Sequence, residues 1–299
     1  MTRRYWITGA CSLALGNNEP PAPPTGATPL EVAYAGSMTS VMEGPIKQAA
    51  AAELKVAVEG RAQGASGLAQ LIASRSIRPD VFISVTPGPM ETVLKAGMAE
   101  RAAAIAHTEM VIAYSARSRW SGRFASRPWW QVLEEPGVRF GRTDPVTDPQ
   151  GRNIIFVMQL AAEFYHQSGL ARRILGADIN PRQIFTEPSV QARLQSGELD
   201  AASSYKIQPG AFGLPFVSLP EEINLGSARL AAEYQRAGVT LNGRAFHPEP
   251  LVYYAAWLKD AAHPVEAARF AGWLAGKSAQ EIFRRSGYDP PGDAGELRP

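Results

Sequence analysis

Apolar and polar positions alternate over Leu30-Glu31-Val32-Ala33-Tyr34-Ala35, and the run stops at Gly36. A period of two predicts a half-buried strand that enters a turn. The alanine-rich stretch 46–54 is helix-prone. Alternation returns over 54–59 as a second strand. Residues 68–75 then read as a helix, Pro79-Asp80-Val81-Phe82-Ile83-Ser84-Val85 as a buried strand, and 90–96 as a short helix. Strand–helix–strand–helix–strand is the pattern of an α/β sheet with parallel strands.

The pattern restarts further on. Residues 109–114 read as a strand, followed by an irregular stretch bearing Trp120, Trp129 and Trp130 that is expected to cross between two lobes. Residues 138–142 open a second α/β unit, and 153–166 form a strongly apolar helix closed by Gly169. A short helix over 190–195, strands over 199–207, 216–219 and 250–256, and helices over 265–274 and 278–285 complete the chain. No fixed-period repeat interrupts this order.

A length of 299 residues suits two domains of ordinary size. A net charge of +2 supplies no electrostatic pull toward nucleic acid, and no nucleic-acid partner is expected. Cys11 is the one cysteine, so neither an intramolecular disulfide nor a cysteine metal cluster can form. His107, His166, His247 and His263 lack metal-ligand spacing. Gly64-Ala65-Ser66-Gly67 is not a Gly-x-Ser-x-Gly nucleophile elbow, and no phosphate loop or dinucleotide fingerprint appears. These observations argue against an enzyme.

The first 29 residues differ from the rest. Met1-Thr2-Arg3-Arg4 is basic, 5–15 is mostly apolar but too short to span a bilayer, and 17–29 is a proline-rich tether. Basic start, apolar run and linker read as an export segment. Thr8-Gly9-Ala10-Cys11 resembles a lipoprotein signal box, which would lipidate Cys11. Thr2-Arg3-Arg4-Tyr5-Trp6-Ile7 resembles a twin-arginine signal. The expected location is the periplasm or the outer face of the cell membrane.

Three stretches carry candidate chemistry. Ala35-Gly36-Ser37-Met38-Thr39-Ser40, Gly64-Ala65-Ser66-Gly67 and Asp144-Pro145-Val146-Thr147-Asp148-Pro149-Gln150-Gly151 each precede a helix-like run. Helix N-termini offer unpaired N–H donors and partial positive charge, and several together suit a small oxyanion. The plainer reading makes Ser37, Ser66 and Asp148 simple caps.

These stretches, with Pro79–Ser84, resemble molybdate-binding proteins of ABC importers. Gln195-Ser196-Gly197-Glu198-Leu199-Asp200, Tyr205-Lys206 and Leu219-Pro220-Glu221-Glu222-Ile223-Asn224-Leu225 add likeness to the tungstate/molybdate-binding branch, from about residue 30 to 287. The resemblance implies a two-lobe periplasmic binding protein, type II-like. Each lobe would be a mixed, mostly parallel sheet flanked by helices, with 30–114 plus 246–299 as lobe one and 115–245 as lobe two. It implies a carrier with no cofactor. Tungstate or molybdate would be the ligand, and a permease with its ATPase subunit the partners. The carrier itself would be monomeric. Gly36, Ser37 and Ser66 would bind oxygens from lobe one, with help from the backbone at Met38. Tyr205 would close the site, and Asp148 and Glu187 would ligate the metal. Carriers of sulfate, phosphate or a small organic acid are the alternative. Two positions depart from the family pattern. Gln150-Gly151-Arg152-Asn153 stands where Cys-Gly-Tyr-Arg usually continues the Asp-Pro pair, and Ile207-Gln208-Pro209 where Ser-Val-Ala usually follows the tyrosine-lysine pair.

Overall fold

In the computed structural model, which describes residues 26–299, the strands follow in order as β1 (Thr28–Ala35), β2 (Val56–Gln63), β3 (Val81–Ser84), β4 (Ala103–His107), β5 (Met110–Tyr114), β6 (Phe140–Gly141), β7 (Ala201–Tyr205), β8 (Phe216–Ser218), β9 (Val239–Leu241), β10 (Arg244–Phe246) and β11 (Val252–Trp257). The expected export segment, Cys11 included, lies outside the described residues apart from the end of its tether.

Two sheets form, ordered β2–β1–β3–β11–β4 and β6–β7–β5–β8, with β9 and β10 as a separate hairpin. In the first, β1 runs parallel to β2 and β3, while β11 runs antiparallel to β3 and β4. In the second, β6 is parallel to β7, and β5 is antiparallel to β7 and β8. Each sheet therefore has one reversed strand, β11 or β5. Both reversed strands directly follow a passage from one sheet to the other. The outward passage is Thr108–Glu109 and the return is 247–251. The two passages touch, with Thr108 N–H donating to Leu251 O at 3.0 Å.

This topology corrects two expectations. β5 pairs entirely within the second sheet, so the chain leaves the first sheet at Thr108–Glu109, ahead of the expected break after residue 114. The tryptophan stretch is not the crossover either. It forms helical turns Ser121–Phe124 and Trp129–Leu133, with Phe124, Trp129, Val132 and Leu133 buried in the core. Tyr114 stacks on Phe124 with ring centroids 4.9 Å apart, which ties the stretch to β5.

The alternation in β1 sends its side chains to two cores. Leu30, Val32 and Tyr34 pack with Met38, Ile46 and Phe270, while Ala33 and Ala35 pack with Leu68, Ile72 and Met90. A central strand covered on both faces is what parallel sheets require.

Asp80 joins three elements at the end of this sheet where β1 and β3 begin. Its buried carboxylate accepts Glu31 N–H at 2.9 Å and His263 N–H at 3.0 Å, just ahead of the helix Pro264–Leu274. Asp80→Ala would orphan both donors. We expect it to cost about 2–4 kcal/mol of stability, read by denaturant unfolding, without changing ligand affinity.

Candidate functional site

Parallel strands place ligands beyond their carboxyl ends. Here β1, β2, β3 and β7 all end at one cleft of about 630 Å³, whose lining draws on both sheets. From the first come Ala35, Gly36, Ser37, Gly64, Ala65 and Val85, and from the second come Asp148, Glu187, Tyr205 and Gln208 among others.

Three helices of eight or more residues begin at the cleft: Ala65–Ala73, Pro149–Phe164 and Glu187–Ser196. Their first-turn N–H groups supply the positive end of each helix to the cavity. Acidic side chains supply the opposite sign. Asp144, Asp148 and Glu187 line the cleft, and no Lys, Arg or His does so among the described residues. No ion pair among the described residues involves Asp148 or Glu187.

Asp148 is an N-cap, as its Asp-Pro sequence suggests. Its Oδ1 accepts Gln150 N–H at 2.8 Å, with Pro149 at the first helical position. Burial pushes its carboxyl above the usual carboxylate range, and the Gln150 N–H offsets part of that rise. Glu187 opens its helix behind the cap residue Thr186. It keeps solvent contact across the open cleft, yet desolvation and the nearby Asp148 charge push its carboxyl up as well. Two carboxyl groups thus face one cavity that no basic side chain lines among the described residues.

Tyr205 closes β7 and is buried, and its Oη accepts a hydrogen bond from Asn153 Nδ2 at 3.1 Å. Burial, with Asp148 next, holds its phenol far above the ordinary range, so it stays a neutral hydroxyl. Ser37 lies inside the short turn Gly36–Met38, with Ala35 in the cap position, so it is not a cap. Its Oγ is 3.0 Å from Tyr253 Oη, a fully buried phenol on β11.

Of the six expected residues, the cleft gathers Gly36, Ser37, Asp148, Glu187 and Tyr205. Ser66 is exposed and does not line it. The helix begins at Ala65 behind the cap residue Gly64, two residues too early for a Ser66 cap, so Ser66 stands within the first turn and its neighbours Gly64 and Ala65 take the wall. The polar lining residues outside the three stretches and the expected site, Thr143, Thr186 and Gln208, went unanticipated. Gln150 and Asn153 were readable as polar residues three apart on an otherwise apolar buried helix face. Gln208 gave no pattern beyond its departure from the family motif.

The chain matches the family described as bacterial extracellular solute-binding protein over residues 30–289. It is 26% identical to the molybdate/tungstate-binding protein WtpA of Thermococcus kodakarensis over 290 residues, covering 88% of this chain and 82% of that protein. In fold it is similar to the periplasmic molybdate-binding protein of Azotobacter vinelandii, with a TM-score of 0.57 and 20% identity over 88% of this chain and 99% of that one. It is also similar to iron-bound HitA from Pseudomonas aeruginosa, with a TM-score of 0.60 and 17% identity over 91% and 89% of the two chains. Likeness at that level carries the two-lobe fold, and the cargo has to be argued from the cleft. With the match running from β1 to the C-terminal tail, the chain belongs to the bacterial extracellular solute-binding proteins, a family of exported carriers that serve transport and not catalysis.

Proposed function

We propose that this chain captures tungstate or molybdate in the cleft and delivers it to an ABC permease driven by its ATPase subunit. The observation that carries this reading is the pair Asp148 and Glu187, set in a cleft without a basic side chain among the described residues. Unpaired carboxylates repel a dianion, and leaving them so is costly. Molybdenum(VI) and tungsten(VI) are hard, electron-poor centres that accept oxygen ligands, and can expand from four oxygens toward six. Sulfur and phosphorus in sulfate and phosphate do not readily do so. Asp148 and Glu187 would ligate the metal, while Ser37 Oγ, backbone N–H groups at Gly36 and at the helix starts, and the Tyr205 hydroxyl would bind its oxygens. The same carboxylates would turn sulfate and phosphate away.

The name of the Thermococcus relative agrees with this cargo. Residues 28–107 together with 252–299 form lobe one in this reading, and 110–246 form lobe two. The two adjacent passages act as the hinge that closes on ligand. The carrier works as a monomer, and Cys11 is the residue a lipid anchor would take.

Thermal unfolding with tungstate, molybdate, sulfate and phosphate, each in separate excess, tests the reading. Ligand at about 100 times its dissociation constant adds roughly 2.7 kcal/mol, a shift of several degrees. We expect shifts with tungstate and molybdate alone. An equal shift with sulfate or phosphate would leave a plain hydrogen-bonding anion site and remove the carboxylate ligands.

A further inference from the structure

Gln208 sits in the single helical turn Ile207–Ala211 that follows β7, and it is 8% exposed. All four hydrogen-bonding positions of its amide are used. Nε2 donates to Glu187 Oε1 at 2.5 Å and to Gln150 Oε1 at 3.2 Å. Oε1 accepts Ser204 Oγ at 2.8 Å and Tyr205 N–H at 2.9 Å. Gln150 is fixed in turn, since its Nε2 donates to Ser203 O at 3.0 Å. One side chain therefore ties the end of β7 to the first turns of Pro149–Phe164 and Glu187–Ser196. With its acceptor held by two donors from β7, the amide cannot flip, and its N–H groups can point only toward Gln150 and Glu187.

A second carboxylate in the same lobe shows what a different partner does. Asp200 is buried and gripped by Arg139, with Nε on Oδ2 at 2.8 Å and Nη2 on Oδ1 at 2.9 Å, while Ser118 Oγ donates to Oδ1 at 2.7 Å. A guanidinium fork neutralises the charge it orients. An amide orients a carboxylate and leaves its charge in place.

We infer that Gln208 is a positioning residue for the cargo, holding the Glu187 carboxylate in a fixed orientation while keeping its negative charge available to the bound metal oxyanion. This rests on the reading of Asp148 and Glu187 as metal ligands. It gives the departure from the family's Ser-Val-Ala pattern a role. Glu187 is the first residue of its helix and is open to solvent, so without the amide its side chain would be free to rotate. Ligation needs it in one geometry, and pre-paying that ordering raises affinity.

The test is a double-mutant cycle on the full chain, with tungstate dissociation constants measured by calorimetric titration for wild type, Gln208→Met, Glu187→Gln and the double variant. Unliganded melting is recorded alongside. Gln208→Met is expected to weaken tungstate binding by about tenfold or more. In the Glu187→Gln background the same change should add less than about threefold, because the amide acts through the carboxylate already removed. A purely structural role would give losses that multiply in the double variant, and that result overturns the inference. If Gln208→Met does not fold, Gln208→Asn carries the cycle, since it keeps a neutral amide but is one methylene too short to hold β7 and reach Glu187 at once, and it adds no charge beside the carboxylate. Wild type that binds neither tungstate nor molybdate overturns the site reading and this inference with it. Wild type that binds tungstate tightly, with multiplying losses, overturns this inference alone.

Discussion

Asp148→Asn is expected to weaken tungstate and molybdate binding by about two orders of magnitude while raising the melting temperature of the empty protein. The loss follows from removing one of two charged metal ligands in a partly buried site, where such a truncation costs about 2–5 kcal/mol. The gain follows from the direction of the carboxyl's shift. Burial raises Asp148 above its unfolded value. A raised acid contributes stability that is complete below the unfolded value near 3.9 and is lost as pH rises through the folded value. At neutral pH the ionised group is therefore a standing cost, and asparagine removes it. The substitution keeps the helix intact, because asparagine offers the same cap oxygen to Gln150 N–H. Glu187 is raised for the same leading reason, with Asp148 adding to it, so Glu187→Gln should act in the same directions. Wild-type affinity should fall on mild acidification as the carboxylates take up protons, while the empty protein gains stability from the pair over the same range. Scanning calorimetry and calorimetric titration between about pH 5 and 8 read both trends.

Gly151→Ala should be severe. A Cβ at Gly151 would overlap Thr143 O and lie 2.7 Å from both Asp144 C and Pro145 N, all of them backbone atoms. Neither the helix Pro149–Phe164 nor the 143–145 segment can keep its place. That segment supplies Thr143 and Asp144 to the cleft, and Asp148 N–H donates back to Asp144 O at 2.8 Å. Overpacking against backbone should cost about 2–4 kcal/mol, at or above the upper end of the usual range. Moving the Asp148 cap should also cost at least about tenfold in tungstate affinity, since a fixed geometry is what the site supplies. Gly67→Ala is the matched control. It lies inside the helix Ala65–Ala73 with nothing within 4 Å of an added Cβ. Helix propensity alone then favours alanine by about 0.5–1 kcal/mol. Denaturant unfolding of the two variants should move in opposite directions.

Much of this architecture is legible in the chain because its strands and helices obey the simple periods. β1 is found where it is expected although Val32, Ala33, Tyr34 and Ala35 are all buried, and Asp148-Pro149 caps a helix that the apolar pattern alone starts only at residue 153. β4 was missed for a physical reason. Ala102-Ala103-Ala104-Ile105-Ala106 reads as helix-prone, and tertiary pairing with β11 makes it a strand. The β9–β10 hairpin carried a signal that the strand reading passed over. Asn242-Gly243 forms its two-residue loop, with φ of 50° and 76°, the left-handed pair such a tight turn needs. The lobe passage at Thr108–Glu109 is only two residues between strands, too short to show as a break in the pattern. At the cleft, the helix-start stretches point to Gly36, Ser37 and Asp148, while Glu187 and Tyr205 follow only from the family resemblance, and all five line one cavity. Ser66 fell outside because a two-residue shift of a helix start moves a side chain to another face. Gln208 was illegible because its partners Gln150, Glu187, Ser204 and Tyr205 converge only in three dimensions.

Carboxylate ligation of the bound anion is most directly read by X-ray absorption at the tungsten L edge, on wild type loaded with tungstate. Six oxygen neighbours, two of them lost in the Asp148→Asn, Glu187→Gln double variant, are the expected result. Four equivalent oxygens in wild type, unchanged by the substitutions, would contradict it and leave the cleft with a hydrogen-bonded anion held at the helix starts alone.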